Sequence, residues 1–255
     1  MIELKEIVSF LNKYLNIEKF KNKDDSWNGL QVEGRKQIEK ILFAVDAGIK
    51  TFQKAKELNV DMIVVHHGMF WKGANPSTVD YTKNRLDFLL KNEISLYASH
   101  LPLDAHPESG NNAQLLNLLG FKKDKEFCYF YGEFISFIGK TKDPKTVSQI
   151  RSVLEEKIGS SCKVLNFGKE KISTIAVCSG GGANYKFLNE AIELGVDLYL
   201  TGDATEMYHL AKDIGINIIF AGHHATETLG VKALSEIVKD EFKVDTVFVD
   251  IPTGL

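Results

Sequence analysis

Short apolar runs recur along this chain, separated by stretches in which apolar residues return every three to four positions. Ile41-Leu42-Phe43-Ala44-Val45 is followed by a helical pattern from Lys50 to Leu58 and then by Met62-Ile63-Val64-Val65. Later, Ile175-Ala176-Val177-Cys178 precedes a helical pattern from Phe187 to Leu194 and then Asp197-Leu198-Tyr199-Leu200. Two further runs, Ile94-Ser95-Leu96-Tyr97 and Ile216-Asn217-Ile218-Ile219-Phe220, close each series. Runs without polar alternation predict strands covered on both faces, and strands alternating with helices predict parallel sheets entered by right-handed crossovers.

The two series are also alike in detail. Ala55-Lys56-Glu57-Leu58-Asn59-Val60-Asp61 matches Ala191-Ile192-Glu193-Leu194-Gly195-Val196-Asp197, with Asn59 and Gly195 where a helix uses a left-handed C-cap. Carried onward, the match pairs His67 with Asp203, His100 with His223 and Asp104 with Glu227, and Gly110 and Ala113 with Gly230 and Ala233 at the start of a following helix. The expected fold class is α/β, with two similar α/β domains arising from an internal duplication: residues 1–120 and residues 174–255. Residues 121–173 read as a small α+β insert. It has one or two strands within Phe127–Lys140, a helix capped by Asp143, with Pro144 at its first position, running to Ile158, and a strand over Cys162–Phe167.

At 255 residues, with 44% hydrophobic and 25% charged positions, the chain can bury large cores and is not a disordered segment. A formal net charge of -3 gives no field that would attract a nucleic-acid backbone. The three cysteines, Cys128, Cys162 and Cys178, form no Cys-x-x-Cys pair, which argues against a disulfide framework and a thiolate zinc site and favours a reducing, cytoplasmic setting. The first residues carry acids where a secretory signal would be basic, and no apolar run is long enough to span a bilayer.

Charge and composition leave the histidines as the informative polar residues. His66 and His67, His100, and His223 each stand at the exit of a predicted strand, the place where α/β proteins build sites. The phrase His-x-x-x-carboxylate occurs at His100–Asp104 and again at His223–Glu227. Imidazoles and carboxylates without thiolate suit zinc, iron, manganese, nickel or cobalt. The metal ligands expected are His66, His67, Asp104, His223 and Glu227, with His100 as a further ligand or as a partner orienting one. Adjacent histidines on an extended segment face opposite sides, so His66 and His67 are expected to serve one ion each, and Glu227 or Asp104 can bridge a pair. His224 could orient a ligand; His106 and His209 read as surface or structural. Ser179-Gly180-Gly181-Gly182 reads as a tight strand-to-helix turn, with anion contact through its backbone N–H groups as the alternative, and Met69-Phe70-Trp71-Lys72-Gly73 reads equally as a pocket wall with aromatics and one cation or as packing under a loop. Ser26-Trp27-Asn28-Gly29-Leu30-Gln31 reads as a turn of unassigned role.

His66-His67-Gly68 with Phe70-Trp71-Lys72-Gly73, Ser99-His100-Leu101-Pro102-Leu103-Asp104 and Gly222-His223-His224-Ala225-Thr226-Glu227 together resemble the Nif-three-like family, known as GTP cyclohydrolase 1 type 2 homologues. Asn28-Gly29-Leu30-Gln31-Val32 resembles that family's N-terminal motif. Many members carry proline after the double histidine, where this chain has Gly68. The resemblance implies two α/β domains with a dinuclear metal site in the cleft between them, a toroidal homohexamer built as a trimer of dimers, and ligands at the five positions already named.

The reaction this predicts is hydrolytic: two divalent ions acidify a water, and the resulting hydroxide opens the imidazole ring of a purine nucleotide such as GTP. Glu227, Asp104 and His100 are the candidate catalytic residues. The alternatives are a metal-dependent nucleotide phosphoesterase and a non-enzymatic metal-binding hexameric scaffold or adaptor. A small-molecule substrate is expected, with neither membrane nor nucleic acid as partner.

Overall fold

The computed structural model describes residues 1–255, which form two compact units: residues 1–103 with 231–251, and residues 104–230 with 252–255. In chain order the elements are β1 (Ile2–Glu3), α1 (Leu4–Tyr14), β2 (Gly29–Val32), β3 (Gln37–Ile38), β4 (Lys40–Asp46), α2 (Ile49–Glu57), β5 (Met62–His67), α3 (Asp80–Lys91), β6 (Ser95–Ala98), the single turn α4 (Leu101–Asp104), α5 (Asn111–Leu119), β7 (Lys122–Phe130), β8 (Glu133–Thr146), α6 (Val147–Ile158), β9 (Lys163–Asn166), β10 (Lys171–Cys178), α7 (Tyr185–Glu193), β11 (Leu198–Thr201), α8 (Tyr208–Ile214), β12 (Asn217–Phe220), α9 (His223–Phe242) and β13 (Asp245–Phe248).

The first unit is built on a five-stranded sheet in the order β13-β4-β5-β6-β2. β13, β4, β5 and β6 run parallel, and β2 closes the edge antiparallel to β6. The unbroken apolar runs are explained by burial of both faces. Ile41, Phe43, Val45, Met62 and Val64 pack with Ile7 and Leu11 of α1 and with Val231, Leu234 and Val238 of α9. Leu42, Ala44, Ile63 and Val65 face the opposite way and pack with Phe52 and Ala55 of α2 and Leu89 of α3. Each such side chain, fully buried, contributes about 1.5–3 kcal/mol.

The second unit has a six-stranded sheet in the order β7-β8-β10-β11-β12-β9. Its centre, β10, β11 and β12, is parallel, with Ile175 opposite Leu198 and Leu198 opposite Asn217. Ile175, Val177, Leu198, Leu200 and Ile219 form one core with Leu115, Leu116 and Leu119 of α5 and Ile150 and Leu154 of α6. Thus both units carry the same order of strand, helix, strand, helix and strand with parallel pairing.

The same anchoring device recurs in each. Asp61, just before β5, accepts the backbone N–H groups of Glu39 and Lys40 at 2.8 and 3.1 Å on Oδ2, and the Arg35 guanidinium on Oδ1 at 3.0 Å. Asp197, just before β11, accepts the N–H groups of Ser173 and Thr174 at 3.0 Å on Oδ2, and the Lys169 ammonium at 2.6 Å on Oδ1. Two nearly buried carboxylates thereby close the starts of β4 and β10. Asn59 and Gly195 adopt φ of 52° and 67°, the left-handed cap that their exchange implied.

The units do not coincide with the sequence halves. The segment 121–173 is no separate body: β8 pairs antiparallel with β10 and β9 with β12, completing the second sheet. The last part of α9 and β13 return to the first unit, where β13 extends its sheet beside β4. The helix expected from Asp143 begins later, at Val147. Thr146 caps it, accepting the Gln149 N–H while the Gln149 side chain accepts the Thr146 N–H, and the strand continues through Pro144 because Lys145 and Thr146 pair with β10. β7 and β8 form a hairpin turned by Tyr131 and Gly132, both at positive φ as a two-residue hairpin turn requires.

Candidate metal-binding sets

In the first unit the strand ends of β5 and β6 deliver His66, His67 and His100 to one place. A ring nitrogen from each lies within 4.8 Å of the others. Ring centroids are 4.6 Å apart for His66 and His67, 5.0 Å for His66 and His100, and 5.6 Å for His67 and His100. Burial alternates as extended residues require, with His66 fully buried and His67 partly open, yet the two rings meet. β5 ends at His67, so the two imidazoles stand at the last positions of the strand. The two rings thus lie closer together than opposite-facing side chains suggest.

Each ring is fixed through Nδ1. His66 Nδ1 faces the Ser99 carbonyl oxygen at 3.0 Å, His67 Nδ1 faces Asp46 Oδ1 at 2.8 Å, and His100 Nδ1 faces Asp24 Oδ1 at 2.8 Å. An acceptor at Nδ1 places the proton of a neutral imidazole there and the lone pair on Nε2, which is how metal-ligating histidines are oriented. Asp24 is itself held by the Ser26 N–H at 2.9 Å, the Asn28 side chain at 2.8 Å and the Leu101 N–H at 3.0 Å. Burial alone would raise its pKa; the hydrogen bond and charge of His100, with the donors from Asn28 and Ser26, hold it below the usual value instead. Asn28 Oδ1 also accepts the His100 N–H at 2.7 Å, which gives the 26–31 segment its task.

Gly68 follows from close packing. A Cβ there would lie 2.3 Å from Gln31 Nε2 and 2.6 Å from the Ala98 Cβ, so any side chain, proline's included, would displace the wall beside the histidines.

In the second unit, the helix carrying His223 begins three residues after β12 ends its run of buried positions, not at Gly230 as expected. His223 and Glu227 are therefore one helical turn apart, with His223 Nε2 3.3 Å from Glu227 Oε1. His223 Nδ1 faces Asp203 Oδ2 at 3.0 Å, so the fourth histidine repeats the Nδ1 anchoring of the other three. Burial would lower the His223 pKa, but the hydrogen bonds and charges of Glu227 and Asp203 outweigh it and raise it to about 9. Glu227 is 2% exposed and Asp104 5%. Asp104 Oδ1 accepts from Asn111 Nδ2 at 2.9 Å and from the Ser179 hydroxyl at 3.0 Å.

The glycine loop after β10 lies against this pair. Gly180 has φ of +59°, and a Cβ on it would sit 2.1 Å from Glu227 Oε1 and 3.0 Å from His223 Nε2. Its N–H donates to Thr226 Oγ1 at 2.9 Å and that of Ser179 to Asn112 Oδ1 at 2.7 Å, so neither is offered to an anion. The tight turn expected of this loop is what it forms.

Of the remaining histidines, His224 is buried on α9. His106 Nδ1 accepts the Ser109 N–H at 3.1 Å and caps a local turn, and the His209 ring packs on Tyr208. Asp24 and Asp46 carried no signal in the spacing. They lie 76 and 21 residues from the histidines they hold, and only the N-terminal family motif pointed towards that region.

The donors fit divalent metal ions. In the first unit three imidazoles have Nδ1 on an oxygen acceptor and turn Nε2 to one another; in the second His223 is held in the same way, its Nε2 able to serve a cation once it gives up the proton shared with Glu227, and two nearly buried carboxylates stand in that unit, none of these donors being a thiolate. No helix is long and apolar enough to cross a membrane.

Comparison with known proteins gives concordant results. The family model described as Duf34/NIF3 (NGG1p interacting factor 3) matches residues 2–254. The chain is 47% identical over 256 residues to a GTP cyclohydrolase 1 type 2 homolog of Pyrococcus horikoshii, covering 98% of each, and 44% identical to the homolog of the same name from Archaeoglobus fulgidus, covering 100% of each. Among solved structures, protein ybgI, of unknown function, superposes with a TM-score of 0.91 at 38% identity over 100% of both chains.

Proposed function

Because this chain belongs to the Duf34/NIF3 family, we propose that it is a metal-dependent hydrolase. It binds two divalent ions through His66, His67, Asp104, His223 and Glu227 and opens the imidazole ring of a purine nucleotide, with GTP as the substrate its relatives' name suggests. The observation that carries this reading is the anchoring of all four histidines at Nδ1 by Ser99, Asp46, Asp24 and Asp203, an arrangement that has a use when Nε2 meets a cation. The repeated strand and helix order and the twin Asp61 and Asp197 anchors support an internal duplication whose halves have diverged, His67 in one standing where Asp203 stands in the other.

Divalent ions, when bound, supply Lewis acidity and a water acidified towards neutrality. The chain's own residues do the rest. Asp46, Asp203 and the Ser99 carbonyl hold His67, His223 and His66 in fixed rotamers and tautomers. His100 accepts or returns a proton at Nε2 while Asp24 stabilises the imidazolium through Nδ1, the role a buried carboxylate plays behind a catalytic histidine. Asn111 and Ser179 orient Asp104 through its Oδ1. Assembly as a homohexamer, a trimer of dimers, and a cytoplasmic setting belong to the same proposal and are supported by the family resemblance.

Purified protein loaded with manganese, iron or zinc is expected to consume GTP and release formate, and Glu227→Gln to lose both metal and turnover. GTP left intact with every metal would refute ring opening. Phosphate release without formate would transfer the same ligands to a phosphoesterase.

A further inference from the structure

Beside the three histidines of the first unit lies a cavity of about 440 Å³ that the proposed metal ligands do not line, within the roughly 300–1,000 Å³ range of small-molecule sites. Its walls include Trp27, Met69, Phe70, Trp71, Tyr81 and Arg85. The two loops that carry these aromatics are stitched together. The Trp27 N–H donates to the Phe70 carbonyl at 3.0 Å, and Ser26 pairs with Trp71 as an isolated bridge. Gln31 fastens both sides, donating to the Trp27 carbonyl at 2.6 Å and accepting the Met69 N–H at 2.7 Å. The pocket is preformed by backbone pairing rather than left to loose side chains.

Two features call for a ligand. Trp27 and Tyr81 are 61% and 65% exposed at the mouth, large aromatic surfaces left in water at the rim of a cavity. Inside, Arg85 has no carboxylate partner: its guanidinium lies over the Phe52 ring at 5.7 Å, and its Nε is buried without a hydrogen-bond acceptor. Burial pulls the Arg85 pKa below its ordinary value, and a guanidinium stays charged in proteins. Lys72, the cation expected in this wall, is turned away to the Asp24 carbonyl.

The cavity and the histidines share one wall, the Trp71 ring. Trp71 stands edge-on to the His100 ring at 5.0 Å and 5.9 Å from that of His67.

We propose that this pocket is the recognition site for a planar heteroaromatic ring bearing a phosphate, in which Trp27, Trp71 and Tyr81 take the ring and the fork of Arg85 takes the phosphate. Aromatic faces accept any flat base, each stack being worth roughly a tenfold change or more in affinity, while a guanidinium matches phosphate oxygens in pairs where an ammonium cannot. The inference rests on the hydrolase reading for what happens to the ligand, but the binding step stands without it.

Metal-free protein, held in chelator, is titrated with GMP, guanosine and inorganic phosphate, following quenching of tryptophan fluorescence. GMP is expected to bind saturably and guanosine more weakly. Tyr81→Ala is expected to weaken both by about tenfold or more. Arg85→Gln is expected to weaken GMP to the level of guanosine while leaving guanosine unchanged, and Arg85→Lys to restore only part of the difference. GMP binding that survives Tyr81→Ala and Arg85→Gln unchanged would overturn the inference, as would the absence of any quench. GMP bound as described by a protein that turns over no nucleotide with any metal would sink the hydrolase reading and leave the pocket standing. Turnover with KM unaltered in both variants would do the reverse.

Discussion

Gly180→Ala tests the second unit's ligand geometry without touching a ligand. Alanine at φ of +59° costs about 1–2 kcal/mol in strain, offset by about 0.4–1 kcal/mol from the narrowed unfolded ensemble. The new Cβ would stand 2.1 Å from Glu227 Oε1, whereas ordinary contact begins at 3.4 Å, so the carboxylate must retreat by about 1.3 Å. Metal sites tolerate errors of about 0.2 Å in ligand distance. A displacement several times larger should therefore reduce affinity by about a hundredfold, or roughly 2.7 kcal/mol. Gly195→Ala is the control: its φ of +67° brings the same strain, but nothing lies within 4 Å of the added carbon. Both variants are compared by urea denaturation with and without zinc or manganese, and by competition for the metal against a chromophoric chelator. In the absence of metal Gly195→Ala should lose about 0–1.6 kcal/mol, and Gly180→Ala more than that, because its Cβ also has to displace the Glu227 carboxylate. With metal, only Gly180→Ala should lose the added stability that a ligand confers on the state it binds. Equal metal affinities for Gly180→Ala and Gly195→Ala would refute the assignment of Glu227 and His223 as ligands held by this loop.

Asp46→Ala is expected to lower metal affinity by about 10–100-fold with the fold retained, since His67 loses the acceptor at Nδ1; Asp46→Asn, whose amide oxygen can still accept, should recover most of it, and an Asp46→Ala affinity equal to that of the unaltered chain would contradict the role. In metal-free protein, the raised pKa of His223 stabilises the fold fully below its unfolded value near 6.5, and that contribution is lost as the pH climbs through about 9. Urea midpoints between pH 6 and 10 should therefore fall more steeply for the unaltered chain than for His223→Gln, and parallel curves would dismiss the paired-imidazolium picture.

The sheet cores and histidine positions could be read from the chain because each follows from local pattern. Unbroken apolar runs demand cover on both faces, and Ile41 to Val45 received it from α1 and α9 on one side and α2 and α3 on the other. Asn59 and Gly195 occupy left-handed caps because a helix end needs one wherever it turns back into a strand. The helix starts were less legible. Thr146 with Gln149 offers a capping box that the Asp143-Pro144 pair cannot match once Lys145 and Thr146 are paired to β10. Similarly, His223 starts its helix because the chain turns at Gly222, with φ of +82°, and the Thr226 N–H closes the first turn on the Gly222 carbonyl.

From residue order alone came the parallel α/β sheets, the strand-end histidines and the carboxylates that accompany them, since period and spacing are properties of neighbours in the chain. The tertiary structure alone decided what stands behind those histidines. Asp24 reaches His100 across 76 residues and Asp46 reaches His67 across 21, while Arg85 lies in its pocket without a carboxylate. Partners of that kind depend on which strands lie side by side and where each ends, and no local pattern encodes either.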